Sequence, residues 1–246
     1  VARRSTAPAT RGWGGPRPAA GLGAGGERLA ADGGGGGTLR GQNANSYGRD
    51  LAAAQRTSFA SLLERIDAVT GIARIRYTSP HPKDMREDVI LAHARLASVC
   101  EHIHLPLQSG SSGILKAMRR TYTRERYLNR VSQIREHVPD CGLSTDVIVG
   151  FPGETEEDFA QTLSVVEEVG YDSAFTFVFS PRRGTRAATI EEGLVPHAVK
   201  IERMDRLLEV VGRRALDRAK RVVGREGEVV GEGAGRTDEN SRRGRA

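Results

Sequence analysis

Between about residue 58 and residue 216, short strand-like runs and amphipathic helical stretches take turns, and this alternation constrains the fold more than any other feature of the chain. FASLLERIDAV (59–69) places Phe59, Leu62, Leu63, Ile66 and Val69 on one helical face. ARIRYTS (73–79) alternates as a strand does and is halted by SPHP. REDVILAHARLA (86–97) reads as a helix and HIHLPLQ (102–108) as the next strand. Ser111 and Ser112 can cap a helix that runs to Arg120. Tyr127, Val131 and Ile134 mark another, which ends before Pro139. GLSTDVIVGF (142–151) is largely apolar, as a parallel strand covered on both faces requires. Thr155, three residues before Asp158, opens a helix whose buried stripe is Phe159, Leu163 and Val166. SAFTFVFS (173–180) is the last clear strand. A long helix near 197–221 then carries Ile201, Met204, Leu208, Val211 and Ala215 at three- and four-residue steps.

Such alternation predicts an α/β fold of parallel strands joined by crossover helices, either a barrel or a doubly wound sheet. Both architectures gather ligands at the carboxyl ends of their strands. The segments expected there are GQNANSYG, SPHP, QSGSSG, GFPGE and SPRRGT. Successive exits this polar and glycine-rich exceed what packing needs and predict a ligand site.

Composition sharpens the boundaries. Hydrophobic residues make up 38% of the chain and glycine accounts for 30 residues, concentrated between positions 12 and 37. A stretch such as DGGGGGT cannot bury a core in the ordinary way. The net charge of +6 favours an acidic partner such as RNA or DNA, or reflects a GC-rich genome that uses arginine freely. Cys100 and Cys141, the two cysteines, form no disulfide framework. No run approaches the ~20 apolar residues of a membrane-spanning helix, and no signal peptide is present. The expectation is a cytoplasmic protein with no membrane segment.

Within the polar loops, Gly110 to Lys116 invites a phosphate-loop reading, but Gly113 is followed by Ile114 and Lys116 falls two positions too late. Gln108, at a strand exit, offers both a donor and an acceptor to a carboxylate, an amine or a ribose hydroxyl. Asp146 sits in an apolar strand, where an unpaired carboxylate is expensive to bury. It therefore either points into the ring toward a hydroxyl or amine, which is the reading taken, or pairs with an arginine. His102 and His104 share a strand face, and without a completing carboxylate or cysteine they read as hydrogen-bonded histidines rather than metal ligands. Arg119, Arg120, Arg124, Arg126, Arg130 and Arg135 cluster against Glu125 alone, with Tyr122 and Tyr127 among them. They are either a phosphate-holding surface with stacking aromatics or a solvated helical face.

Taken in order from about residue 38 to 221, these segments resemble the radical S-adenosylmethionine (SAM) methylthiotransferases. The matching blocks are GQNANSYG, RIRYTSPHPKD, HIHLPLQSGS, LKAMRRTYTRERY, TDVIVGFPGETEEDF and FTFVFSPRRGTRAA. The TSPHP and HLPLQSG forms are similar to the tRNA-modifying (MiaB) type rather than the ribosomal-protein type. The resemblance implies a partial (β/α) barrel of six strands, here lacking its first. It implies SAM, a 4Fe-4S cluster held by C-x-x-x-C-x-x-C after that first strand, tRNA and a one-electron reductant. The implied reaction adds a methylthio group to C2 of N6-isopentenyladenosine at tRNA position 37. Carried over by position, Gln42 and Asn43, Gln108 and Ser109, Asp146 and Gly150, and Ser180 with Arg182 are expected to hold SAM and face the target base. Arg119, Arg120, Arg124 and Arg126 are expected to bind RNA.

The chain departs from the family pattern at the cluster. No C-x-x-x-C-x-x-C occurs; in the similar segment RSTAPATRG, Ser5 and Ala2 stand at the third and second ligand positions. A serine hydroxyl is no dependable replacement for a thiolate. Residues 1–37 are accordingly expected to be a degraded start of the barrel, with the glycine-rich helix and strand at 16–41 weak at best. Residues 38–221 form the barrel core, and 222–246 resemble the beginning of a TRAM β-barrel, incomplete and at most partly folded. The reading is a monomeric, inactive fragment of a tRNA methylthiotransferase, the alternative being a catalytically dead SAM- or RNA-binding barrel.

Overall fold

The structure is a computed structural model that describes residues 18–49, 51–181, 189–190 and 192–227, together with the backbone of 230–234 and 242–245. Five parallel strands lie in chain order: β1 (Gly36–Leu39), β2 (Arg74–Tyr77), β3 (His102–His104), β4 (Gly142–Val149) and β5 (Ser173–Val178). β1 pairs with β2, and β4 pairs with both β3 and β5. A parallel bridge from Ile75 to Val99 ties β2 to the residues leading into β3. The helices are α1 (Ala19–Ala31), α2 (Phe59–Asp67), α3 (Glu87–Arg95), α4 (Ser112–Ala117), α5 (Arg124–His137), α6 (Glu156–Val169) and α7 (His197–Lys220). Among the described residues no helix is long and apolar enough to cross a membrane.

The predicted elements recur within a few residues of their expected bounds, with β3 the exception. Its regular ladder stops at His104; Leu105 N still donates to Ser144 O, and one extra residue is then taken up before Gln108 pairs with Val147. Thr145 bridges the gap from β4: its hydroxyl accepts from Leu107 N (2.9 Å) and donates to Leu105 O (2.9 Å). Pairing resumes at Gln108, whose N–H donates to Asp146 O and whose carbonyl accepts from Ile148 N.

The glycine-rich start departs from expectation, since α1 and β1 both form. Leu22, Leu29 and Ala30 of α1 pack against the core, so tertiary burial offsets the low helix propensity of its glycines. The glycine run also has a steric use. Gly33 takes φ +76° to end the helix, and a Cβ on Gly34 would lie 2.9 Å from Leu29 O. A Cβ on Gly36 would lie 2.7 Å from Arg74 O, so the close strand approach excludes any larger residue.

Burial divides β4 into two faces. Leu143, Thr145, Val147 and Val149 are sealed on the helix-covered side, while Asp146 and Ile148 are half-buried on the other. In register beside these two stand Phe175 and Phe177 of β5, 59% and 50% exposed, so this face of the sheet is open. α6 begins with a complete Thr155–Asp158 capping box. α7 runs back against β4 and β5: Lys200 reaches Phe179 O at the strand exits, and Arg218 binds Asp172 and Cys141 O at the strand entries. In the tail, β6 (Val230–Ala234) and β7 (Arg242–Arg245) pair antiparallel with an irregularity between Gly231 and Gly233.

A buried histidine gives this core a pH dependence. His93 donates from Nδ1 to Cys100 O (2.9 Å), so Nε2 is left to accept from Tyr77 OH (2.8 Å). Burial pulls its pKa down to about 4, so the folded state holds it neutral where the unfolded chain would be protonated. Below pH 6.5 the unfolded state binds the extra proton, and stability must fall as pH drops toward 4. Urea titrations are expected to show on the order of 3 kcal/mol lost over that window. His93→Gln should remove most of that slope.

Candidate active-site rim

The strand exits gather at one rim, tied together by side chains. In the loop after β1, Asn45 is buried and its amide pairs both ways with the backbone of His81, donating to the carbonyl (2.9 Å) and accepting from the N–H (2.8 Å). Asp84, also buried, is held by Ser46 Oγ and by Arg49 at 2.6 Å. These contacts fasten the first exit to the second. Gln42 and Asn43, the expected ligand residues of this loop, are exposed, and Asn43 adopts a left-handed conformation at φ 51°. The inward-facing Asn45 and Asp84 were not anticipated; their signal was polarity inside the GQNANSYG and SPHPKD blocks.

The exit of β3 is the most heavily pinned. Tyr127 OH donates to Leu105 O (2.8 Å) and accepts from Tyr171 OH (2.8 Å), while Tyr122 OH reaches Pro106 O (3.0 Å) and Leu107 O (3.1 Å). Burial raises the pKa of all three tyrosines, so they remain protonated donors. Both α5-side tyrosines are therefore core: Tyr127 lies with Val131 and Ile134 as their spacing predicts, and neither ring is free to stack on a base. Gln108 is buried in the left-handed region at φ 67°, with its backbone in the β4 ladder. Ser109 Oγ accepts from Ser111 N and lies 3.4 Å from Thr162 Oγ1. The N–H of Gly110 is taken by Thr162 and that of Ile114 by Ser111. A loop whose N–H groups are already engaged cannot cradle a phosphate, in agreement with the misplaced Lys116.

On the open face, Asp146 is half-buried and its Oδ2 lies 3.3 Å from His104 Nε2; His104 Nδ1 in turn lies 3.0 Å from Ser144 Oγ, which is 3.3 Å from His102 Nε2. Asp146 thus pairs with a histidine, neither alternative considered from sequence. The histidines are hydrogen-bonded as expected, although a carboxylate does stand beside them. No group of three metal-ligating side chains occurs among the described residues. Parallel pairing of His104 with Ser144 in register placed these groups together. Arg120 has a buried Nε with no hydrogen-bond partner, and its charge, like that of Asp146, acts on Tyr122.

Gly150, at φ 72°, donates its N–H to Glu154 Oε2 at 2.7 Å; a Cβ there would meet Lys200 Cγ at 2.4 Å. Glu154 also accepts from Phe151 N and pairs at 3.2 Å with Arg203 of α7, both side chains being nearly inaccessible. Burial pushes the Glu154 carboxyl up, against the N–H donors and Arg203. Ser180 is exposed at the β5 exit, and Arg182 lies outside the described residues. Of the four arginines expected on RNA, Arg119 and Arg126 are exposed. Arg124 is instead spent on α6, donating to Gln161 O (2.8 Å) and Ser164 Oγ (3.1 Å).

Parallel strands opening at one polar rim, with helices on the opposite face, define an α/β barrel-type enzyme scaffold. The Radical SAM superfamily profile matches residues 41–166, and the chain belongs to that superfamily. It is 51% identical over 208 residues to the tRNA-2-methylthio-N(6)-dimethylallyladenosine synthase of Moorella thermoacetica and 53% identical over 208 residues to that of Clostridium botulinum strain Okra. These matches cover 85% of this chain but 46% of each relative, so the chain spans about half the length of the curated proteins it matches. In fold it is similar to coproporphyrinogen III oxidase (HemN) from Escherichia coli, a radical SAM enzyme, with a TM-score of 0.54 at 19% identity over 72% of this chain and 40% of that one. It is also similar to the radical SAM methyltransferase TsrM from Kitasatospora setae, with a TM-score of 0.52 at 18% identity over 66% and 31% of the two chains.

The superfamily implies SAM and a 4Fe-4S cluster. SAM suits the open face, which offers a carboxylate, a histidine and two exposed phenylalanines. The cluster does not suit this chain. Such clusters are held by cysteine thiolates, and Cys100 and Cys141 are the chain's two cysteines. Cys141 is buried at the foot of β4, where burial pushes its thiol up to about 12. Anaerobic treatment with iron and sulfide is therefore expected to leave the purified chain without a stoichiometric cluster, read by visible absorbance and iron content. Cys141 should resist iodoacetamide at pH 8 until the protein is unfolded. Arg124→Ala should cost about 1–3 kcal/mol of stability in denaturant titrations, since it strips charged donors from the α5–α6 contact.

Proposed function

We propose that this chain is the barrel portion of a tRNA methylthiotransferase, the enzyme that adds a methylthio group to C2 of N6-isopentenyladenosine at tRNA position 37. The observation that carries the reading is identity of 51–53% sustained over 208 residues. At the open face, Asp146 would take the ammonium or a ribose hydroxyl of SAM, and Arg120 its carboxylate. SAM when bound supplies the methyl group of the product. Gln42, Asn43, Gln108, Ser109, Gly150, Ser180 and Arg182 would complete the rim. For Gln108, Ser109 and Gly150 the support lies in the backbone they shape. Phe175 and Phe177 offer an apolar wall beside Asp146 on which an adenine could lie.

The same reading places the protein in the cytoplasm as a monomer that meets tRNA and a one-electron reductant. It assigns the β6–β7 hairpin to the beginning of a TRAM domain. It also makes the chain inactive by itself, because the thiolates for a cluster are missing. The alternative, a catalytically dead SAM- or RNA-binding barrel, is not favoured by the relatives, which are named as synthases.

The test is analysis of tRNA nucleosides by mass spectrometry in a bacterial strain deleted for its own synthase. This chain alone is expected to leave isopentenyladenosine unmodified. A chimera that joins residues 38–246 to the cluster-bearing N-terminal half of the Moorella relative is expected to produce the methylthio nucleoside. A soluble, cluster-loaded chimera that leaves the nucleoside unmodified would overturn the proposal.

A further inference from the structure

The sequence grouped six arginines without saying which of them face a ligand. Their placement separates them. Arg124 is committed to α6, Arg135 to the carbonyls of Pro139 and Cys141, and Arg120 is half-buried with its Nε out of solvent. What remains is a groove of about 260 Å³ between the turn at Pro82–Asp84 and the first turns of α5. Lys83, Arg126 and Arg130 supply its charges, and Thr121 and Asn129 supply neutral hydrogen-bonding groups.

Three observations make this groove a binding surface rather than a solvated helix face. First, its charges are available. The side chains of Lys83 and Arg126 are exposed and have no ion pair or hydrogen-bond partner among the described residues, and Arg130 is bonded to the neutral Gln133 at 2.6 Å. Second, the nearby acids do not cancel them. Asp84 is buried and already held by Ser46 and Arg49; Glu125 turns to Ser112, and Glu87 alone acts on Arg130. Third, the groove lies at the rim. Tyr122 lines it while reaching Pro106 O and Leu107 O at the β3 exit, and its ring meets His81 of the β2 exit edge-on at 5.6 Å.

We propose that this groove, beside the β2 and β3 exits, holds consecutive backbone phosphates of an RNA strand through Lys83, Arg126 and Arg130. Cations that line a groove in series, interleaved with neutral donors, match a repeating phosphate backbone better than a single free anion. The assignment keeps Arg126, adds Lys83 and Arg130 and leaves out Arg119, Arg120 and Arg124, and it rests on the reading of the barrel as RNA-modifying.

Binding of this chain to an in vitro transcribed tRNA, followed by fluorescence anisotropy across a sodium chloride series, tests the proposal. The double variant Lys83→Ser/Arg126→Ser is expected to weaken binding about tenfold or more and to lower the slope of log Kd against log salt by about 1 to 2. Its melting temperature should match that of the parent, since neither side chain has a partner to lose. The charge-matched control Lys220→Ser/Arg225→Ser, at the far end of α7, should bind like the parent. Equal affinity and slope in the groove variant and the parent would overturn the proposal. So would binding of poly-glutamate of matched charge as tightly as tRNA. The two readings fail separately. A chimera that methylthiolates tRNA while the groove variant binds normally sinks the groove alone. An inactive chimera whose tRNA binding still depends on Lys83 and Arg126 sinks the reaction and leaves the groove standing.

Discussion

An extra residue at the exit of β3 shapes the rim. The chain takes three steps from Leu105 to Gln108 where β4 takes two, from Ser144 to Asp146, so it leaves the sheet after Leu105 and returns at Gln108. The exposed carbonyls of Leu105, Pro106 and Leu107 then need partners, because an unpaired buried carbonyl costs about 1–3 kcal/mol. Thr145, Tyr127 and Tyr122 provide them. Satisfying these carbonyls draws the α4–α5 connection over the β3 exit and brings Tyr122 against His81 of the neighbouring exit. The rim groove, the left-handed turn at Gln108 and the packing of Gly110 on α6 all follow from that interruption.

Charge is sorted by the same packing. Buried carboxylates are each answered: Asp84 by Arg49 and Ser46, Glu154 by Arg203 and two backbone N–H groups. Breaking such a buried pair from one side costs more than its formation contributes, so Arg203 holds α7 firmly against the β4 exit. Exposed pairs along α7, such as Arg213 with Glu167, add little. The cations without acids nearby collect on the rim beside the β2 and β3 exits. Net charge alone could not distinguish a steering patch from a genome's arginine habit; the distribution of partners does.

The scaffold and its cofactor set part company in this chain. The open face keeps a carboxylate–histidine pair and two exposed phenylalanines, the kinds of group that suit SAM and a purine. The thiolates that would carry iron are absent from the sequence, and the cysteines it does have lie at strand entries and in the core. The barrel nevertheless has an apolar layer of its own, Ile103, Leu143, Val147 and Val149 packed against the helices.

Periodicity in the amino-acid sequence was enough to specify four of the five parallel strands, the helices between them and the polar character of the exits, because each depends on local spacing and turn chemistry. The lack of cluster cysteines was equally plain. Three things had to await tertiary contacts. The glycine-rich start forms a helix and strand because Leu22, Leu29 and Ala30 find a core to pack against, a gain no propensity scale contains. Asp146 meets His104 because parallel register sets β3 beside β4, a relation between residues 42 positions apart. The arginines separate into a bonded set and an exposed set because the partners of Arg124 and Arg135, Gln161, Ser164 and Cys141, come from other elements of the chain. Spacing along a chain encodes which face a residue occupies; what stands opposite that face is settled when the elements meet.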